Sequence, residues 1–219
     1  MSAFIDLSHA IEHGMTTYHP LPGPLIEDYL GRDDSRTRYA PGTEFQIGSI
    51  QMVANTGTYV DSPFHRFAEG MDLSQLPLSS LANLSGITFR VTPDAGAITP
   101  DIFSTHELRG RAVLIHSGWS RFWRTDEYHS GRHPYLTDSA AEFLVEARVA
   151  LVGIDSYNID DTKGGARPAH TRLLQAEIPI VEHLCGLEDL PDDGYHFFAV
   201  PPPVKGMGSF PVRAFALIN

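Results

Sequence analysis

The run Val149-Ala150-Leu151-Val152-Gly153-Ile154 contains no charged or polar side chain. A short, continuous apolar run of this kind is typical of a strand that is buried on both faces of a sheet. Similar runs occur at residues 112–115 and 178–181, and a helical pattern over Pro168–Gln175 precedes the second of these. Strands that alternate with helices in this way favour an α/β fold with a mixed, covered sheet.

Further predicted elements flank this alternating region. Thr137 precedes an apolar repeat at three and four residues over positions 140–148, which predicts a capped helix. Residues 14–43 are rich in proline, glycine and charge, and are expected to be irregular apart from at most one short helix. We therefore predict one domain over residues 1–219, with a loop-rich N-terminal third folded over the sheet. The other predicted elements are strands at 4–7, 44–53, 86–92, 197–200 and 212–218, and a short helix at 100–108.

Composition narrows the class of protein. A formal charge of −11 argues against a nucleic-acid partner, because phosphate binding needs clustered Lys and Arg. Cys185 is the single cysteine, so neither an intrachain disulfide nor a thiolate zinc site can form. The N-terminal segment carries acidic residues and therefore does not resemble a signal peptide. No apolar window of the sequence is long enough to cross a membrane. We expect a soluble, cytoplasmic protein.

One run combines chemically active side chains with stiff backbone: Asn55-Thr56-Gly57-Thr58-Tyr59-Val60-Asp61-Ser62-Pro63-Phe64-His65. Gly57 permits backbone geometry that is closed to other residues, and Pro63 fixes φ between Asp61 and His65. A rigid turn of this kind can aim a carboxylate and an imidazole at one point. The alternative is that Asp61 caps a turn and His65 lies on the surface, and spacing alone leaves both interpretations open.

Other polar side chains follow the buried strands. Asp155 comes directly after the strand at 149–154, where it either faces a crevice or caps the next turn. Glu182 follows the run at 178–181, and an acidic group there is costly unless it is paired or ligated. His170 lies in the first turn of the predicted helix that starts at Pro168.

Several common catalytic patterns are absent from the sequence. Gly164-Gly165 has no following Lys-Ser or Lys-Thr pair, so it is not a phosphate-binding loop. There is no Gly-x-Ser-x-Gly elbow, and Cys185 has no local nucleophile signature. Catalysis by a nucleophilic serine or cysteine is therefore not favoured.

The run at 55–65 resembles the His-x-Gly-Thr-His-x-Asp-x-Pro-x-His motif of the cyclase-like metal hydrolases, a family that includes bacterial kynurenine formamidases and isatin hydrolases. Further segments are similar to family blocks in the same order along the chain. They are Ile5-Asp6-Leu7-Ser8-His9, Leu114-Ile115-His116-Ser117-Gly118-Trp119, Gly153-Ile154-Asp155-Ser156 and Ile178-Pro179-Ile180-Val181-Glu182. The resemblance implies a swivelling β/β/α fold, a small-molecule substrate, and assembly as a homodimer or homotetramer.

The resemblance also implies a divalent metal, zinc or manganese, bound by Asp61, His65, His170 and Glu182. Where the motif has its first and second His, this chain has Asn55 and Tyr59. A neutral carbonyl oxygen is a weaker zinc ligand than imidazole, and a phenol must lose its proton to bind well. More oxygen ligands shift the preference toward harder ions such as manganese or magnesium, and a metal-free site is the alternative.

The activity implied by the resemblance is hydrolysis of a C–N bond in a small aryl formamide, amide or lactam. His65 is expected to act as the general acid and base, next to Asp61. Phe64, Phe67, Tyr59 and Trp119 are candidates for an aromatic wall around the substrate.

Two alternatives stay open at this point. The first is a metal-free cyclase, lyase or lactone-opening enzyme that uses His65 and Asp61, with Tyr59 and Asn55 as hydrogen-bond donors to an oxyanion. The second is a non-catalytic relative that binds a small molecule.

Overall fold

The structure, a computed structural model, describes residues 2–218. The strands are β1 (Ala3–Asp6), β2 (Leu25–Leu30), β3 (Ile47–Gln51), β4 (Tyr59–Asp61), β5 (Leu84–Arg90), β6 (Ala97–Ile98), β7 (Ala112–His116), β8 (Tyr135–Leu136), β9 (Leu151–Ile154), β10 (Ile180–Glu182), β11 (Asp193–Phe198), β12 (Ser209–Pro211) and β13 (Phe215–Ile218). The α-helices are α1 (Arg32–Arg36), α2 (Asp138–Glu146) and α3 (Pro168–Gln175). Short 3-10 turns lie at Pro63–His65, Leu78–Ser80, Pro100–Ile102, Trp119–Phe122 and Leu187–Asp189.

A large sheet dominates the molecule, with the strand order β1-β13-β11-β5-β7-β9-β10-β4-β12. The central strands β5, β7, β9 and β10 run parallel, and antiparallel strands extend the sheet on both sides. This arrangement confirms the predicted α/β class with a mixed sheet. It also places β4 between β10 and β12, far from its sequence neighbours.

Apolar side chains cover both faces of the sheet. On one face, Val113 and Val152 belong to a core that includes Leu144 of α2 and Leu173 of α3. On the other face, Leu114 and its neighbours pack with residues of the surrounding loops. Burial of both faces explains why the central strands are apolar at consecutive positions instead of alternating.

The helix and central-strand predictions agree with the structure. Helix α3 has the predicted bounds, Pro168–Gln175. Helix α2 begins after Thr137, whose side-chain oxygen accepts a hydrogen bond of 3.1 Å from the backbone N–H of Ala140. The N-cap and the proline at the first helical position are therefore reliable local signals here.

The segment at 14–43 contains one short helix, α1, as predicted, but it also contains strand β2, which was not predicted. This strand pairs with β3 as a separate two-stranded sheet, and most of its side chains are exposed. The β2 segment Leu25-Ile26-Glu27-Asp28-Tyr29-Leu30 has its apolar and polar residues in pairs, so it lacks the alternation by which strands are recognised. The predicted helix at 100–108 is only a 3-10 turn, and Ser104 Oγ donates to the Asp101 carbonyl just beyond it, a local bond that competes with helix.

The C-terminal strands also differ from their predicted bounds. The strand expected at 197–200 occupies Asp193–Phe198, and the one expected at 212–218 begins only at Phe215, as β13, with the separate strand β12 ending at Pro211. β12 pairs with β4, whereas β13 pairs with β1 and β11. Residues 212–214 connect β12 to β13 across this change of partner, so the last strand starts later than predicted.

No helix within residues 2–218 has the length and apolar character needed to cross a membrane.

Candidate active site

Strand β4 sets the positions of the polar side chains at the centre of the site. Tyr59 lies opposite Glu182 of β10, and Asp61 lies opposite Ser209 of β12. Tyr59 and Asp61 are two residues apart and therefore point to the same face of the sheet. Cross-strand partners share that face as well, so the register gathers four polar side chains in one buried patch.

The chain then folds back so that His65 lies over Asp61. After β4 it enters the 3-10 turn Pro63–His65, and His65 Nδ1 comes to 3.6 Å from Asp61 Oδ1. The backbone N–H of Ser62 donates to the carbonyl of Gly208 at 2.7 Å. A Cβ at Gly208 would collide with the backbone of His65, so only glycine allows this close approach.

Ser209 determines which nitrogen of His65 carries the proton. Its hydroxyl donates to Asp61 Oδ1, and its oxygen lies 2.8 Å from His65 Nδ1. Because the single hydroxyl proton goes to the carboxylate, His65 must donate from Nδ1 to the Ser209 oxygen. In the neutral ring, His65 Nε2 then has the free lone pair, on a side chain that is 35% exposed.

His170 reaches the same point from the first turn of α3. Its Nδ1 lies 2.6 Å from Asp160 Oδ2, and its Nε2 lies 3.6 Å from Asp61 Oδ2 and 3.8 Å from Glu182 Oε1. Burial lowers the pKa of His170, but Glu182, Asp160 and Asp61 outweigh that effect and raise the pKa to about 10. The imidazole is therefore a cation at neutral pH in this arrangement.

Glu182 is surrounded by hydrogen-bond donors. The backbone N–H of Ile159 donates to Oε1 at 2.6 Å, and the hydroxyls of Tyr59 and Tyr18 donate to Oε2. Burial, followed by the charge of Glu182, raises the pKa of Tyr59 well above its usual value. Tyr59 thus keeps its proton and acts as a neutral donor to Glu182.

A cavity of about 290 Å³ opens over these groups. It brings Asn55 to the same space as Tyr59, His65, His170 and Glu182, as the run at 55–65 and the two later segments predicted. The cavity is lined by Tyr18, Leu21, Asn55, Tyr59, His65, Arg66, Asn158, Arg167, His170 and Glu182.

Asp61, His65 and His170 have the donor atoms and spacing of a cation site. Each offers one donor atom, and the three atoms lie within 4.8 Å of one another. Asp61 Oδ2 is buried and has no hydrogen-bond partner among residues 2–218, a costly state that a cation relieves. One carboxylate and two imidazoles suit a divalent transition ion. Glu182 lies beside the group, and its predicted role as a fourth ligand stays a prediction because three donors already engage its oxygens.

Most of the residues predicted to form an aromatic wall do not line the cavity. Of the four candidates, Tyr59 alone lines the cavity. Phe67 packs against the core on the helix-covered face, and the Trp119 indole donates to the Tyr128 carbonyl at 3.3 Å. Asp155 accepts hydrogen bonds from the backbone N–H groups of Ser117 and Gly118, so it caps the turn after β7 and not the turn that follows it in the sequence.

Ser209 and Tyr18 were not predicted as parts of the site, and Asp160 was considered only with Asp155 and Asp161, as an acidic residue after a buried strand. Asp160 follows a buried strand, and that position was the one available signal for it. Tyr18 comes from the segment predicted to be irregular, and its hydroxyl lies 2.8 Å from that of Tyr59. Ser209 lies 148 positions from Asp61 in the sequence, and nothing local marks it.

Comparison with known proteins agrees with the fold and the motif. Kynurenine formamidase from Geobacillus thermodenitrificans (strain NG80-2) is 29% identical over 217 residues, which cover 98% of this chain and 97% of the relative. Kynurenine formamidase from Salinibacter ruber (strain DSM 13855 / M31) is 29% identical over 212 residues, covering 97% and 96%.

Among solved structures, isatin hydrolase A from Labrenzia aggregata, bound to benzyl benzoate, has a TM-score of 0.85 at 21% identity, covering 99% of this chain and 94% of that one. This likeness confirms the fold. The family described as "Putative cyclase" matches residues 5–161, more than half of the sequence. The chain therefore belongs to the Cyclase family.

Proposed function

We propose that this protein hydrolyses the C–N bond of a small aryl formamide, amide or lactam, with an aryl formamide as the first expectation. Two relatives named kynurenine formamidase match it over nearly the full length of both chains. The observation that carries the proposal is the position of His65, whose unprotonated Nε2 belongs to a cavity-lining side chain beside the buried Asp61 and His170.

His65 serves as the general base and then as the general acid. Its Nε2 takes a proton from the attacking water and returns it to the leaving amine nitrogen. The Nδ1–H bond to Ser209 holds the ring orientation, and the Ser209 bond to Asp61 stabilises the imidazolium that forms. Asn55 lines the same cavity and is our proposed donor to the carbonyl oxygen, because the Tyr59 hydroxyl is already committed to Glu182.

Asp61, His65 and His170 are the residues that would hold a divalent ion, with Glu182 as a proposed fourth ligand. The Nε2 lone pair of His65 would serve either the ion or the proton transfer, so its role as general base belongs to the site without the ion. Such an ion supplies Lewis-acid polarisation of the carbonyl and a more acidic water at neutral pH. We favour manganese or zinc.

Replacement of His65 tests the catalytic assignment. His65→Gln should lower kcat for N-formylkynurenine hydrolysis by about 10²-fold or more, because proton transfer by a positioned side chain contributes 10²–10⁴-fold. Formate release is the measurement, and His106→Gln, a histidine outside the cavity, is the control. Wild-type turnover by His65→Gln would refute the role of His65, and absence of hydrolysis by the wild type would refute the substrate class.

Manganese binding should strengthen as pH rises. A ligating imidazole must be unprotonated, and the pKa of His170 is raised to about 10, so ion binding at pH 6–8 displaces its proton. The apparent affinity should increase by up to about tenfold per pH unit in this range for one proton released. Calorimetric titration of chelator-treated protein in two buffers of different ionisation enthalpy counts that proton. Affinity that does not change with pH would argue against His170 as a ligand.

Restoring the motif histidines should tighten metal binding. The double variant Asn55→His/Tyr59→His adds two imidazoles beside Asp61, His65 and His170. It also removes the Tyr59 hydroxyl that donates a hydrogen bond to Glu182. We expect at least a tenfold lower Kd for zinc, measured by competition with a chromophoric chelator. Tyr59→Phe is the matched control, since it removes the hydroxyl without adding a ligand. Equal affinity in the double variant and the wild type would contradict the proposed correspondence.

We also propose that the protein forms a homodimer or homotetramer through the hairpin of β2 and β3. This hairpin exposes Ile26, Tyr29, Ile47 and Ile50, and the cross-strand partners Ile26 and Ile50 lie side by side on one of its faces. Cytoplasmic location stays a prediction of the sequence.

Charges on the hairpin test this assembly. Ile26→Glu/Ile50→Glu should reduce the mass measured by light scattering after size exclusion, because two buried carboxylates oppose apolar contact. Leu78→Glu, an exposed leucine outside the hairpin, is the control. A monomeric wild type, or an unchanged oligomer in the double variant, would exclude this interface.

A further inference from the structure

Two arginines line the cavity at its polar wall. Arg66 follows His65 directly, and Arg167 immediately precedes helix α3. Both arginines thus border the same space as the proposed base. The proposed function uses neither of them.

Among the described residues, Arg66 and Arg167 lack an acidic partner, as do Arg38, Arg109, Arg121 and Arg148, but of these six only Arg66 and Arg167 line this cavity. Arg90, Arg111 and Arg172 each lie within 4.0 Å of a carboxylate oxygen. Within residues 2–218, no carboxylate lies within that distance of Arg66 or Arg167. The chain has 27 acidic residues and only 16 basic ones, so acidic partners are plentiful. No carboxylate among the described residues is placed beside these two arginines.

Neutral groups hold both side chains in place. Arg167 Nη1 donates to the carbonyls of Gly164 at 2.8 Å and Ala166 at 2.7 Å. Arg66 Nε donates to Thr171 Oγ1 at 3.3 Å, and the Thr171 hydroxyl donates to the Arg167 carbonyl at 2.7 Å. Thr171 therefore links the two arginines. Within the described part of the chain, the Nη2 groups of both arginines make no hydrogen bond. These N–H donors are therefore available to a ligand, while the rest of each side chain is held in place.

The charges of the cavity dictate how an anionic substrate enters. Asp61 and Glu182 lie at the buried end, where they repel a second carboxylate. The arginines present planar forks that match a carboxylate in two parallel hydrogen bonds. An uncharged carbonyl can approach His65 while an anionic group on the same molecule stays at the arginines. A volume of about 290 Å³ limits that molecule to roughly one ring with a short side chain.

We infer that Arg66 and Arg167 bind a carboxylate carried by the aryl substrate and make the enzyme selective for anionic aryl amides. This inference rests on the proposed function for its reaction but on the two arginines for its substrate class. Arg66 and Arg167 are thus specificity-determining residues.

A pair of substrates that differ only in charge tests the inference. The pair is 4-(2-formamidophenyl)-4-oxobutanoate and its primary amide. The wild type should have a kcat/KM at least tenfold higher for the carboxylate. Arg66→Gln and Arg167→Lys should each reduce that ratio at least fivefold, mainly through KM. Arg121→Gln, an arginine outside this cavity, should leave the ratio unchanged.

Binding without turnover separates this inference from the proposed function. Calorimetry with 4-(2-aminophenyl)-4-oxobutanoate and its amide should show at least tenfold tighter binding of the carboxylate, with the difference reduced in Arg66→Gln and at higher salt. Selective binding without hydrolysis of either formamide would refute the proposed reaction and leave the arginine site standing. Equal binding of carboxylate and amide by the wild type would overturn the arginine site, whatever the activity. Arg66→Lys retains the positive charge and is the control for misfolding of Arg66→Gln. It should keep part of the selectivity for the carboxylate.

Discussion

The buried carboxylate of Asp61 is the constraint around which the site is built. An ionised carboxylate without solvent is strongly unfavourable unless hydrogen bonds or opposite charge compensate for its lost hydration. Ser209 satisfies one oxygen, while the other lies 3.6 Å from His170 Nε2 without a hydrogen bond. Because the fold leaves this oxygen unsatisfied in the strand register of β4, the site favours positive charge at one point, either the His170 imidazolium or a metal ion.

Glu182 solves the same problem in a different way, and this affects the metal. Tyr18 and Tyr59 donate to one of its oxygens, and the backbone of Ile159 donates to the other. The network stabilises Glu182 with neutral donors, so it needs a cation less than Asp61 does. A histidine at position 59 would offer a ligand where this chain offers a proton donor. Of the two sequence departures, Tyr59 thus changes the chemistry of its neighbour, whereas Asn55 leaves a polar amide at the cavity wall.

The sequence predicts a feature when neighbouring residues determine it, and not when distant parts of the chain do. Pro168, the repeat after it and the apolar strands define α3 and the parallel centre of the sheet, since neighbouring residues carry all of that information. The turn at Pro63 likewise brings Asp61 and His65 together through local geometry. His170 and Glu182 were recognised through family blocks. Ser209 and Tyr18 were not, because they reach the site only by long-range strand pairing and loop packing, which no local pattern records.

This dependence on distant pairing has a consequence for catalysis. The free lone pair on His65 Nε2 exists because Ser209 accepts from Nδ1, and Ser209 is in place because β12 pairs with β4. β12 in turn approaches His65 only because Gly208 has no side chain. The tautomer of the proposed base is therefore fixed by the last strand but one of the chain. Substitutions that weaken the pairing of β12 should reduce activity through the orientation of His65, even where no altered residue touches the substrate.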